Sequence, residues 1–192
     1  MITKQKICAM TLPPPIRICP RFVPDADVLF RQFLDGTVWD ERMRARKTAS
    51  FGVAYNYSQI SYPAAPMPDA LQQVCQALKL ELGFMPNNCL MNFYPDGSAS
   101  MGFHSDSSAE LAPTTGIAIV SLGAERDLVF RSKHDRSSEF VFPLENGSLL
   151  YMSQEMQQDW LHAVPKAEGA GARISLTFRA ICPSDYDQGT TA

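Results

Sequence analysis

From residue 89 onward, short apolar runs alternate with Gly, Pro, Asp and Ser breaks: 89–94, 116–123, 127–132, 139–144, 147–152 and 172–181. Strands of this length and spacing predict an antiparallel sandwich or jelly roll. Earlier in the chain the period changes. The segment 25–36, DADVLFRQFLDG, has an acidic start, apolar positions at helical spacing and a closing Gly36, and predicts a short helix. A second helix starts at Pro68 and Asp69, lines one side with Leu71, Val74, Cys75, Leu78 and Leu80, and stops at Gly83. Between them, 51–58 alternates as a strand does. The proline-rich first 24 residues predict extended arms or an edge strand. The expected fold class is therefore α+β and mainly β. A single domain covers 1–192, with an N-terminal α/β extension over 1–88 and a jelly-roll core over 89–182.

Composition narrows this picture. At 192 residues, 45% hydrophobic and 19% charged, the chain has the make-up of one globular domain with its own core. No apolar run approaches the ~20 residues that cross a bilayer. Lys4 and Lys6 are followed by Pro13, Pro14 and Pro15, a poor signal peptide, so the expected compartment is the cytoplasm. The five cysteines, Cys8, Cys19, Cys75, Cys89 and Cys182, form an odd set without a CxxC pair, which argues against a disulfide framework or a cysteine zinc site. A net charge of −3 gives no broad basic field, which a local basic stretch, Arg42, Arg44, Arg46 and Lys47, partly offsets.

Candidate chemistry begins with the histidines, of which there are three: His104, His134 and His162. Asp106 follows His104 by two positions, and in an extended strand such residues share a face. His162, in Trp-Leu-His-Ala-Val-Pro, is far enough along the chain to return on a neighbouring strand. Two imidazoles and a carboxylate on one face leave coordination positions open, the arrangement of non-haem Fe(II) oxygenases. Each piece alone is weak, because His-x-Asp is common and a lone histidine is usually a core or surface residue. The C-terminal strand adds weight. Arg173, Ser175, Thr177 and Arg179 alternate with Ile174, Leu176 and Phe178, so two guanidiniums share one face of an apolar strand. Taken alone, that face could be exposed with two solvated arginines; facing inward, they need an anion, and a dicarboxylate beside the metal would supply it.

These motifs in order, Asn92-Phe-Tyr94, His104-Ser-Asp106, Trp160-x-His162-x-Val-Pro and Arg173-x-Ser-Leu-Thr-Phe-Arg179, resemble the AlkB family of nucleic-acid dealkylases over roughly residues 50–181. Arg126-Asp-Leu-Val-Phe-Arg131 is similar to a segment of one branch of that family. The resemblance implies a double-stranded β-helix (jelly roll) whose N-terminal extension forms a substrate lid, at the run Glu41–Lys47. It implies Fe(II) on His104, Asp106 and His162. It also implies 2-oxoglutarate held by Asn92, Tyr94, Arg173, Ser175 and Arg179, with O2 as co-reactant. Ser175 stands where the family usually has Asn. Tyr55, Tyr57 and Ser58 match the wall of the base pocket, and aromatic faces there stack a flat base. Arg131 is a candidate contact to substrate or its phosphate, and His134 has no expected task.

Ser107 and Ser108 occupy positions where that branch carries acidic residues, which leaves the preferred base open. The activity implied is oxidative dealkylation of N-alkylated nucleobases of the 1-methyladenine and 3-methylcytosine type, a form of alkylation repair. The expected partner is alkylated DNA or RNA, single-stranded by preference because a single strand spares the flipping cost, with no membrane and the chain acting as a monomer. The alternatives are the same iron chemistry on a nucleoside, metabolite or protein side chain, and a binding module without chemistry.

Overall fold

The computed structural model describes residues 12–57 and 59–182. Strand β1 (Ile16–Cys19) precedes helix α1 (Ala26–Gly36), then come β2 (Lys47–Gly52), β3 (Tyr55–Tyr57), β4 (Ile60–Tyr62) and helix α2 (Asp69–Leu82). The second half runs β5 (Asn88–Tyr94), β6 (Met101–His104), β7 (Gly116–Gly123), β8 (Arg126–Ser132), β9 (Glu139–Leu144) and β10 (Leu149–Ser153). A single turn, α3 (Met156–Asp159), leads into β11 (Trp160–Val164), and β12 (Arg173–Arg179) closes the series. The strands form a six-stranded sheet, β1-β10-β7-β12-β5-β2, and a four-stranded sheet, β6-β11-β8-β9, with β3 and β4 as a separate hairpin. All named pairings are antiparallel. This is the jelly roll that the run spacing predicts. Strands β1 and β2, both from the first 88 residues, form the two edges of the larger sheet.

Two apolar clusters explain why β5, β7 and β12 are buried along nearly their whole length. One cluster packs Cys89, Met91, Ala118, Val120, Ile174, Leu176 and Phe178 against Phe33 of α1 and Leu71, Val74 and Leu78 of α2. The other contains Leu90, Ile117 and Ile119 of the larger sheet with Leu128, Phe130, Trp160 and Val164 of the smaller one. Period-two alternation therefore sends odd and even positions of β12 into different environments. Ile174, Leu176 and Phe178 meet the helices, while Arg173, Ser175, Thr177 and Arg179 enter the space between the sheets.

Two local expectations need correction. On α2, Leu71, Val74, Cys75 and Leu78 are buried, but Leu80 is 90% exposed. Two residues past Leu78 is ~200° around a helix, so Leu80 points away from the core and Leu82 returns to it. The helix stops where expected, at Gly83, whose φ of +82° lets its N–H close onto the Lys79 carbonyl. The alternating segment 51–58 is not one strand. At Gly52 φ is +90°, and a Cβ there would lie 2.0 Å from the Asn87 carbonyl oxygen. The chain leaves the sheet at this point and re-forms as the β3–β4 hairpin. The expected edge strand is β1, and residues 1–11 lie outside the described residues.

Truncating Leu78 to Ala should lower unfolding free energy by about 2–5 kcal/mol, whereas Leu80→Ala should change it by less than about 0.5 kcal/mol. Urea unfolding of the two variants compares them directly. Equal losses would contradict this placement of α2.

Candidate metal and cosubstrate site

The site lies on the inner faces of both sheets. On β12, Ser175 is registered opposite Asn92 of β5 on one side and Ser121 of β7 on the other, and Arg173 is opposite Tyr94. Strand pairing therefore places Asn92, Tyr94, Arg173, Ser175 and Arg179 on one surface, as expected from the sequence. Asn92, Tyr94, Ser175, Thr177 and Arg179 line a small cavity together with His104, Asp106 and His162.

His104 and His162 sit directly opposite each other on β6 and β11, with ring centroids 4.3 Å apart. The register slips between this pair and the next, Met101 with Val164. A bulge at Gly102 and Phe103 thus lets both Met101 and His104 face the cavity. Asp106 is not on a strand, as strict i, i+2 alternation supposes. It lies in the loop after β6, where its backbone N–H donates to Gln157 Oε1 at 3.0 Å. One ligand atom from each of His104, Asp106 and His162 lies within 4.8 Å of the others. Arg179 donates to Asp106 Oδ1 at 2.7 Å, and His162 Nε2 is 3.4 Å from Oδ2.

Electrostatics suit the ligand role. Burial alone would raise the Asp106 carboxyl, but Arg179, His162 and His104 beside it pull it well below the usual carboxylate range. It is ionised at neutral pH. Burial, and then the neighbouring His162, lowers the His104 pKa below its ordinary 6.5, so its ring stays neutral. Its Nδ1 lies 2.9 Å from the Gly102 carbonyl, which orients Nε2 the other way.

The substrate-side residues divide. Tyr57 lines the cavity, whereas Tyr55 is buried behind it, stacked on Tyr57 at 6.4 Å and with the Arg179 guanidinium 4.8 Å from its ring centre. Ser58 lies outside the described residues. Arg131 is not brought to the cluster. Its neighbour Phe130 is registered opposite His162, so Arg131 projects from the other face of the sheet, paired with Glu139 and stacked on Phe103 at 3.7 Å. Ser107 is exposed, Ser108 is half-buried, and His134 pairs with Asp159 at 2.9 Å on the surface.

The basic run resolves unevenly. Arg42 pairs with Asp40 and Lys47 with Glu41. Arg46 is buried instead, donating through Nε to Asn92 Oδ1 at 2.7 Å and through Nη2 to the Tyr57 hydroxyl at 3.1 Å. Charge counting along the run misses this role. Its one signal is the alternation with Thr48, a fully buried residue two positions on that is registered opposite Asn92. Gln157, which holds Asp106, carries no signal in the sequence at all.

The profile of the 2OG-Fe(II) oxygenase superfamily matches residues 31–179. The chain belongs to this superfamily. Within it the chain is of the AlkB type. It is similar to the DNA oxidative demethylase ALKBH2 of Bos taurus, 36% identical over 150 residues covering 72% of this chain and 54% of that protein. It is also similar to the alpha-ketoglutarate-dependent dioxygenase alkB homolog 3 of Rattus norvegicus, 31% identical over 192 residues covering 87% of this chain and 65% of that protein. The chain thus spans from about half to two thirds of these relatives' length. The solved structure of OsALKBH1 has the same fold, with a TM-score of 0.64 at 18% identity over 88% of this chain and 99% of that one.

The residues present fit the iron and 2-oxoglutarate that this superfamily implies. Two histidines and an ionised carboxylate are the donor set of an open-sided Fe(II) site. Arg173 is 1% exposed, donates to the Ser121 hydroxyl at 2.8 Å, lies against Tyr94, and among the described residues has no partner for Nε or Nη1. Arg179 leaves the same two atoms unpaired. Buried guanidinium donors in that state match a carboxylate-bearing ligand. The cavity among these side chains has a volume of about 30 Å³, room for an ion or a water as they stand.

Asp106→Ala should abolish Mn(II) binding and cost about 3–5 kcal/mol of stability, because Arg179 becomes a buried cation without its partner. Mn(II) titration and urea unfolding measure the two effects. An unchanged unfolding midpoint would show that the pair is not buried as described.

Proposed function

We propose that this chain is an Fe(II)- and 2-oxoglutarate-dependent dioxygenase that removes N-alkyl groups from nucleobases in DNA or RNA, with single strands preferred. The carrying observation is the His104–Asp106–His162 cluster set beside two buried arginines whose donors are unsatisfied. His104, Asp106 and His162 would hold Fe(II). Asn92, Tyr94, Ser175 and Arg179 would orient 2-oxoglutarate, with Arg173 on its distal carboxylate. Fe(II) with 2-oxoglutarate and O2 supplies oxidation of an unactivated C–H bond, and the cosubstrate leaves as succinate and CO2.

The protein's own contribution is placement. Burial of the donors excludes water, strand register spaces the cosubstrate donors along β5 and β12, and the Arg179–Asp106 pair ties them to the metal ligands of the facing sheet. Tyr57, backed by Tyr55, offers a flat face for a base, with Ser58 following it in the chain. Arg46 joins that wall to Asn92, which ties the base side of the site to the cosubstrate side. Arg131 and Arg44 would meet phosphate rather than the base. A methyl carbon hydroxylated next to a ring nitrogen is a hemiaminal, which collapses to formaldehyde and the unmodified base. Residues 1–88 would form the extension bearing the substrate lid, and 89–182 the catalytic core of one monomeric domain. A cytoplasmic location is supported by Cys19, Cys75, Cys89 and Cys182, which are free thiols. Among the described residues no helix is long and apolar enough to cross a membrane.

Ser107 and Ser108 favour a second reading, the same chemistry on a nucleoside, metabolite or protein side chain, since no acid stands at these positions beside Asp106.

The test is release of succinate and formaldehyde with Fe(II), ascorbate and 2-oxoglutarate. Substrates are single- and double-stranded oligonucleotides carrying 1-methyladenine or 3-methylcytosine. Matched release that disappears in His104→Ala, and is faster on single strands, is expected. Succinate without formaldehyde would transfer support to the second reading, and no turnover on any substrate would remove both.

A further inference from the structure

Arg126, the first residue of β8, is 2% exposed, yet its hydrogen bonds go to no carboxylate. Its guanidinium donates to three backbone carbonyls: Asp96 at 3.2 Å, Ala99 at 2.9 Å and Pro165 at 2.5 Å. Two of these belong to the loop between β5 and β6, and the third opens the loop between β11 and β12. The same loops meet again nearby. Ala167 N–H donates to the Gly97 carbonyl at 2.9 Å, and a Cβ on Gly97 would lie 1.7 Å from the Ala167 oxygen. One loop leads from Tyr94 to the metal-side histidine His104, the other from Val164 to Arg173. The Arg126 and Arg173 guanidiniums both lie against the Tyr94 ring, 5.7 and 5.4 Å from its centre.

We propose that Arg126 is a positioning residue for the cosubstrate: strand register sets Tyr94 opposite Arg173, and Arg126, by clamping the two loops and lying against the Tyr94 ring, holds the side chains of that pair in one orientation towards the distal carboxylate. The inference rests on the reading of the site as one for 2-oxoglutarate. A planar fork with five N–H groups can bridge three carbonyls at once, and its charge is permanent. Lysine keeps the charge but is a single-point donor, and methionine keeps the stem and loses both. Arg126 does not line the cavity itself, so its effect passes through Tyr94 and Arg173. The metal ligands have supports of their own: Gln157 on Asp106, and the β6–β11 pairing that sets His104 opposite His162.

That separation defines the experiment. The full chain is titrated first with Mn(II), then, as the Mn(II) complex, with 2-oxoglutarate and with N-oxalylglycine, for wild type, Arg126→Met, Arg126→Lys and Gly97→Ala. Arg126→Met should raise the Kd for both dicarboxylates about 10-fold or more, the scale of a lost outer-contact partner, with the Mn(II) Kd nearly unchanged. Arg126→Lys should fall between. Gly97→Ala retains the arginine but forces the loops apart, and should weaken the dicarboxylates in the same selective way. Should Arg126→Met not fold, Arg126→Lys and Gly97→Ala carry the same comparison. Variants that bind 2-oxoglutarate as wild type does would overturn the inference alone. Mn(II) and 2-oxoglutarate affinities falling together would reduce Arg126 to a fold support. Wild type that binds Mn(II) and no 2-oxoglutarate would sink the site reading and this inference with it.

Discussion

The ion pair between Asp106 and Arg179 is the interaction on which the rest of the site depends. Both groups are almost wholly buried between two β-sheets, at 2.7 Å. Taking either ion out of water alone costs several kcal/mol, and the pair recovers that only with close geometry. The carboxylate is consequently ionised and fixed in direction, which a metal ligand requires. Arg179 in turn belongs to the polar face of β12, the same face that carries Arg173. One strand thus supplies the partner of the metal-side carboxylate and, six residues away, a second buried guanidinium with unpaired donors, behind Tyr94 rather than in the cavity lining.

A sandwich interior built for stability alone would carry apolar residues at these positions. Replacement of buried ions by well-packed hydrophobes is often neutral or stabilising. The opposite face of β12 shows what such packing looks like: Ile174, Leu176 and Phe178, each fully buried against the helices. Arg173 has no acid among its hydrogen-bond partners and two donors unused, so its burial is not explained by folding. An anion that arrives later, the proposed cosubstrate, would explain it. The fold meets this demand by stabilising its other half, where α1 and α2 cover the larger sheet with a continuous apolar layer.

The polar face of β12 proposed to hold the cosubstrate is legible in the sequence because strand periodicity encodes it. The six-residue spacing of Arg173 and Arg179 within an apolar strand is enough to fix their common face, and register does the rest. The metal cluster is legible for a less direct reason. His104 reaches its position by a bulge, and Asp106 from a loop, so the alternation rule singles out residues that do converge, but by an incorrect geometry. What stays hidden are contacts that no local period marks. Arg46 sits in a run that reads as solvated charge, and Gln157 and Arg126 act on loops far away in sequence. Leu80 is a different kind of miss: apolar content suggests the face of Leu78, and the helical period forbids it.

The residues proposed to face substrate are held more loosely. Tyr57 comes from a two-stranded hairpin outside the main sheets, and Ser107 and Ser108 from a loop after β6. None of these positions is locked by a cross-strand register with the core, whereas Asn92, Arg173 and Ser175 are. A substitution in the first group leaves the sandwich intact, and one in the second leaves a buried charge or amide unpaired. On the proposed function, the core would therefore constrain the cosubstrate far more tightly than the base. Arg46 is the exception, being buried onto Asn92 while bonded to Tyr57, so a movement of Tyr57, the proposed base wall, would be felt at Asn92, the proposed cosubstrate contact.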